Sequence, residues 1–213
     1  MDAAAFAPFE TLSEALIPFS APGDDGGHDL AHIHRVFRNA MRIHAAEGGD
    51  GRILAASVLL HDCVSVEKNS PLRTQASALA ADEARRILTK LNWSEQDIDA
   101  VCHAVLTHSF SANIEPETLE AKILQDADRL DAIGMIGAAR CFYTSGRMGA
   151  KLYNAEDPLG ESRELDDRRF ALDHFPLKLF RLADGFKTAT GAAMARLRHE
   201  RLVSIRDMLL EEI

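Results

Sequence analysis

The sequence predicts an all-α fold. Apolar residues recur at spacings of three and four along most of the chain, and clusters of Gly, Pro, Asn and Asp interrupt that pattern. No stretch of useful length alternates apolar and polar residues as a half-buried strand would. The elements follow in order. Phe6, Phe9, Leu12, Ala15, Leu16 and Phe19 trace one face of a first helix from Phe6 to Phe19. The run from Pro22 to Gly27 breaks the chain. A second helix then runs from His28-Asp29 to about Glu47, with Asp29 as its cap and Ile33, Val36, Ala40 and Ile43 buried. Gly48-Gly49-Asp50-Gly51 ends it. The third helix, Arg52 to His61, is apolar nearly all round and belongs at the centre.

Cys63 to Leu72 is a polar loop, and a long helix follows from about Arg73 to Lys90. Asn92-Trp93-Ser94 forms a break, anchored by Trp93 and with Ser94 as a helix cap. The fifth helix spans Asp97 to Thr107. After the loop Phe110–Pro116, Glu117 to about Thr144 reads as helix in two pieces, because Gly134 and Gly137 weaken it. Met135 and Ile136 read as core or pocket wall. Gly146 to Arg163 is irregular. Asp166 to Glu212 reads as two helices meeting near Asp184-Gly185. No internal repeat is visible.

Composition narrows the function. The 213 residues are 46% hydrophobic and 27% charged, an ordinary globular balance with enough chain for one sizeable core. No apolar run approaches the ~18 residues of a membrane span. The first residues lack a basic region followed by a long apolar run. Cys63, Cys102 and Cys141 show no CxxC spacing and read as buried thiols in a reducing cytoplasm. The net charge of −9 argues against general nucleic-acid binding. It leaves room for a phosphorylated small molecule, since local cations decide that contact.

His61-Asp62 closes the apolar run Ile53–Leu60. Two groups that are costly to bury stand side by side where a buried helix ends. Adjacent helical side chains diverge by about 100°, so both reach one ion only if it lies between them. His32 opens the second amphipathic stretch, and Asp128 and Asp131 sit within Ile123–Ala132. Imidazole nitrogens with carboxylate oxygens suit a divalent ion of intermediate hardness.

The ordered set His32-Ile33-His34-Arg35-Val36, Leu59-Leu60-His61-Asp62 and Asp126–Asp131 resembles the HD-domain metal-dependent phosphohydrolases. The likeness extends to His28-Asp29-x-x-His32-Ile33, Val66–Pro71, His108-Ser109-Phe110 and His174–Lys178. It is with a small stand-alone bacterial group that includes nucleoside triphosphate pyrophosphohydrolases. The resemblance implies one HD-domain helical bundle over residues 1–213. Its metal-site core lies at about 28–144, and C-terminal helices at about 166–212 pack on it.

By this resemblance the metal ligands are His32, His61, Asp62 and Asp128. His32 shares a helix face with His28 and Arg35, whereas His34 points elsewhere into solvent. Asp126 competes with Asp128 but is turned away from the face of Leu124 and Asp131; it could orient a ligand histidine instead. Mn2+ or Mg2+ is favoured by the carboxylate share, and Ni2+, Co2+, Fe2+ and Zn2+ are accepted by imidazole.

Around the metal, Lys68 in the returning loop is the cation for a phosphate substrate, with Arg73 and Arg35 as further contacts. His108 and Asp131 are the candidates for proton transfer, and His103 for substrate contact. His174 and Lys178, one turn apart on a late helix, are placed to close the pocket. His44 and His199 receive no role. The resulting expectation is a cytoplasmic hydrolase of phosphate ester or anhydride bonds in small nucleotides, foremost a nucleoside triphosphate pyrophosphohydrolase. The rivals are a phosphatase or cyclic nucleotide phosphodiesterase with the same metal site, and a nucleotide-binding regulatory protein. The partners implied are a small phosphorylated substrate and a second copy of the chain in a homodimer, with no membrane.

Overall fold

Several helices begin where a short polar side chain caps them. Asp29 accepts a bond from the His32 amide at 2.8 Å and opens α2, Leu30–Glu47. Asp50 accepts from the Arg52 and Ile53 amides at 2.8 and 3.1 Å and opens α3, Gly51–Leu60. Ser94 accepts from Asp97 at 3.2 Å and opens α5, Glu95–Thr107. Thr188 accepts from Gly191 at 3.0 Å and opens α8, Ala189–Glu211. The remaining helices are α1, Glu10–Ser20; α4, Ala76–Lys90; α6, Leu119–Asp131; and α7, Gly134–Arg147. This computed structural model describes residues 3–20, 29–66, 70, 72–109 and 112–213. Among them there is no strand, only an isolated bridge between Lys151 and Phe170. The fold is all-α.

The chain divides into two compact units, Met1–Asp128 and Arg129–Ile213. In the first, α3 is the centre. Ile53 to Leu60 are all buried, and α3 packs on α1, α2 and α5, while α4 lies along α5. A helix covered on every side must be apolar on every side, which is what its sequence shows. Trp93 anchors the α4–α5 turn as expected: the Arg52 guanidinium stacks on its ring at 3.6 Å and pairs with Asp97 at 3.1 Å.

Two buried amides tie α6 into this unit. Asn39 of α2 donates to the Ala127 carbonyl at 3.2 Å, and Gln125 donates to the Thr107 carbonyl at 2.8 Å. The first answers a backbone group one residue before Asp128; the second satisfies a carbonyl at the end of α5, which its own helix leaves unpaired.

In the second unit α7 packs on α8, and the Arg129 side chain holds the carbonyls of Leu182, Asp184 and Gly185. Gly134 has φ +72°, and the chain turns there between α6 and α7. Two expectations need correction here. The segment from Asp166 to Asp184 is not an α-helix. It runs as a 3₁₀ turn at Ala171–Asp173, a wide turn at Phe175–Leu179 and another 3₁₀ turn at Phe180–Ala183. Pro176 supplies no amide to an α ladder. Asp173 faces Arg163 in a bidentate pair at 2.6 and 2.7 Å and also accepts from the Asp166 amide. Met135 and Ile136 are not core: they are 60% and 39% exposed. The buried stripe of α7 is instead the small residues Gly134, Gly137, Ala138 and Cys141.

Candidate metal centre

His32 sits in the first turn of α2, His61 and Asp62 follow directly on α3, and Asp128 lies near the end of α6. The fold brings these distant positions together inside the first unit. His32 Nε2 lies 3.3 Å from His61 Nε2, 3.6 Å from Asp62 Oδ2 and 3.5 Å from Asp128 Oδ1. His61 Nε2 lies 3.5 Å from Asp62 Oδ2 and 3.9 Å from Asp128 Oδ1. Both imidazoles are buried; both carboxylates are about a quarter exposed, at 26% and 28%. Donors about 2.1 Å from one ion and at right angles to one another would be about 3.0 Å apart. The ligand atoms of His32, His61 and Asp128 all lie within 4.8 Å of one another, and Asp62 adjoins both imidazoles.

The tautomer of His61 sharpens the case. Its Nδ1–H donates to the Val58 carbonyl at 2.7 Å, so in the neutral ring Nε2 carries a lone pair. That lone pair faces the Nε2 atom of His32 and two carboxylate oxygens. A proton on His32 Nε2, or a cation among these groups, answers that lone pair. Two nitrogens and two carboxylates fit a divalent ion and leave coordination positions for water or substrate.

His108 is the next side chain outward. Its Nδ1–H donates to the Val105 carbonyl at 2.6 Å, the same device that orients His61. Its Nε2 lies 3.9 Å from Asp62 Oδ1, and its ring meets that of His61 edge-on at 5.0 Å. Burial first, and His61 second, hold His108 below the ordinary imidazole pKa. Beside it opens a cavity of about 340 Å³ between His61, Asp62 and His108 on one side and Thr74, Ala76 and Ser77 at the start of α4 on the other.

The other candidates are placed as follows. Asp126 is fully buried and stands outside the four-donor group. His34 leaves the donor group as expected, but it meets Phe6 edge-on at 5.7 Å and is only partly exposed to solvent. Arg35 is partly buried on α2. His103 is engaged elsewhere: its Nε2 accepts from the Glu117 amide at 3.1 Å. Asp131 is buried in the second unit and pairs with Arg140 at 2.8 Å. His174 pairs with Asp167 at 2.8 Å and Lys178 is exposed, both in that second unit. Lys68 lies outside the described residues, as does the side chain of Arg73. His44, which the sequence left without a role, donates to the Gly48 carbonyl at 2.8 Å and closes α2. Cys63, next to Asp62, is packing: burial pushes its thiol up to about 12, and it faces the Ala80 carbonyl. The hydroxyl residues Thr74 and Ser77 line the cavity and had no signature in the sequence, whereas Ser109, also on its lining, stood in the quoted His108-Ser109-Phe110.

A helical unit with paired His and Asp donors at its centre is the HD-domain arrangement. The HD domain family matches residues 29–133, and the chain belongs to it. The YpgQ protein of Bacillus subtilis (strain 168) is 32% identical over 194 residues, covering 89% of this chain and 86% of its own. The crystal structure of Bacillus subtilis YpgQ in complex with ADP superposes with a TM-score of 0.72 at 31% identity, over 99% of this chain and 95% of that one. An HD-superfamily hydrolase from Bacillus thuringiensis superposes with a TM-score of 0.73 at 28% identity, over 95% of this chain and 96% of its own.

Proposed function

We propose that this chain is a divalent-metal-dependent hydrolase of phosphoanhydride bonds in small nucleotides, specifically a nucleoside triphosphate pyrophosphohydrolase. The observation that carries the reading is the convergence of His32, His61 and Asp128, whose ligand atoms all lie within 4.8 Å of one another, with Asp62 Oδ2 at 3.6 and 3.5 Å from the two imidazoles, beside a cavity that His108 also faces. The ADP bound to the similar YpgQ protein supports a nucleotide as the ligand.

In this reading His32, His61, Asp62 and Asp128 hold the ion, with Mn2+ or Mg2+ favoured. A divalent ion there lowers the pKa of bound water and offsets charge on phosphoryl oxygens. His108, neutral because it is buried, accepts or returns a proton at Nε2, the atom turned toward Asp62 and the cavity. Val105 fixes that orientation by occupying Nδ1. Lys68 and Arg73, from the segment between α3 and α4, hold phosphate oxygens as cations.

The test is metal analysis of the purified protein followed by a nucleotide panel. About one divalent ion per chain is expected, as for a single four-donor site. Pyrophosphate released from a triphosphate supports the assignment. Free phosphate from a monophosphate, or opening of a cyclic nucleotide, moves it to a phosphatase or a phosphodiesterase. Nucleotide binding without turnover moves it to a regulatory protein.

A further inference from the structure

We propose that Gln125 is a positioning residue whose buried amide fixes where the His108 imidazole stands beside the metal-binding donors; this rests on reading the site as that of a metal-dependent nucleotide hydrolase. His108 is the first residue after α5, so the peptide unit between Thr107 and His108 carries its Cα. That unit is planar, and holding its oxygen restrains the atoms that follow. Gln125 Nε2 donates to the Thr107 carbonyl at 2.8 Å and holds that oxygen. His108 Nδ1–H donates to the Val105 carbonyl at 2.6 Å and fixes the rotation of the ring. With both bonds made, His108 Nε2 stands 3.9 Å from Asp62 Oδ1, at the cavity. Gln125 itself lies on α6, three residues before Asp128 and on the same side of that helix. One amide therefore sets the end of α5 against the helix that carries a proposed ligand.

The other end of the amide supplies the independent observation. Gln125 is 2% exposed, and its Oε1 is a buried acceptor with no hydrogen-bond partner among the described residues. An acceptor buried without a donor costs stability. Thr107 is fully buried, and without the amide its carbonyl would be the unanswered acceptor instead. A methionine in place of Gln125 has nearly the same length and brings no Oε1. The exchange trades one unanswered buried acceptor for another, so stability has little to gain from the glutamine. What the amide adds is direction. Turned the other way it would set Oε1 against the Thr107 oxygen, so a single orientation makes the bond.

The test compares the full-length wild type with Gln125→Met and with Gln125→Glu, whose ionised carboxylate cannot donate to a carbonyl. Mn2+ affinity is read by calorimetry, and kcat and KM are measured for a nucleoside triphosphate. The ring nitrogens of His108 are followed by proton–nitrogen correlation in the metal-free protein, and their signals are assigned by their loss in His108→Gln. In Gln125→Met the His108 signals should shift or broaden while those of His32 hold. Mn2+ affinity and the thermal midpoint should stay at the wild-type level. The kcat should fall by about 10- to 100-fold at unchanged KM, as for a proton-transfer group held off its place. Gln125→Glu should act in the same direction, and it decides alone if Gln125→Met does not fold. His108 signals identical to the wild type, or a loss of kcat that only follows loss of Mn2+ or of folding, overturn the proposal. So does failure of both variants to fold, which would make Gln125 a structural residue. Displaced His108 signals with wild-type kcat uphold the positioning and remove His108 from proton transfer. Displaced signals in a chain whose wild type hydrolyses no triphosphate uphold it and remove the proposed reaction.

Discussion

In the proposed ligand set Asp62 and Asp128 supply the anionic half, and their loss should be felt first in metal affinity. Asp62→Ala removes one oxygen donor and leaves His32 and His61 with Nε2 atoms 3.3 Å apart and one carboxylate to share a cation. Metal affinity should fall by more than about 100-fold, the upper end of what loss of a merely supporting bond costs. Turnover should disappear while the far-ultraviolet circular dichroism stays at the wild-type level. An alanine variant with full metal content would remove Asp62 from the ligand set. The same logic separates Asp128 from Asp126. Asp128→Ala should strip metal, whereas Asp126→Ala should act mainly on stability, because Asp126 is fully buried outside the donor group. Equal metal loss in the two variants would show that α6 presents both carboxylates to the ion. At this scale the sequence made the cluster of His32, His61 and Asp128 visible because His and Asp are expensive to bury and stand in a recognisable order. It could not reveal Ser77 on the cavity wall, since an ordinary serine in an Ala-rich helix start carries no such mark. Nor could it show that Arg140 engages Asp131, nine residues away across the turn at Gly134.

Helices were legible wherever a cap and an apolar face coincided, as at Asp29 and Ser94. They were misread where backbone detail decides. The stretch from Asp166 to Asp184 carries helix-like spacing, yet Pro176 and the Arg163–Asp173 pair hold it as tight and wide turns. On α7 Met135 and Ile136 face solvent and small residues are buried, so hydrophobicity pointed to the wrong side there. The reason is close approach. A Cβ on Gly137 would stand 2.3 Å from the Ala132 carbonyl oxygen. Gly146, in the same helix, has nothing within 4 Å of such an atom. Gly137→Ala should therefore destabilise by about 1–3 kcal/mol, as overpacking does, and lower the thermal midpoint. Gly146→Ala should be neutral or stabilising by up to about 1 kcal/mol through helix propensity. If Gly137→Ala is as mild as Gly146→Ala, the turn between α6 and α7 is not set by that contact.

For the molecule as a whole, the four proposed ligands all belong to the first compact unit, so an ion bound there would add its affinity to the stability of that unit. Among the described residues no helix is long and apolar enough to cross a membrane, and the apolar content serves the helical cores. Two buried thiols away from the donors can report how firmly those cores are closed. Burial pushes Cys102 in α5 up to about 11, and Cys141 in α7 likewise to about 11. Their thiols face the carbonyls of Ala81 and Ala171. An unfolded cysteine titrates near pH 8.5, so the folded state holds these protons more tightly. That contribution to stability is complete below about pH 8 and is lost as the pH rises toward 11. At pH 8 both thiols are protonated in the folded chain, and alkylation must wait for local or global opening. Binding to the folded state alone lowers the opened population by about the ratio of free metal to Kd. Raising Mn2+ to about 100 times its Kd should therefore slow alkylation of Cys102 by up to about 100-fold. Adding a chelator should restore the faster rate, with Cys141 followed in the same experiment as the thiol of the unit that holds no donor. A Cys102 rate that ignores the metal, in protein shown to bind it, would mean that α5 opens without disturbing the donor group.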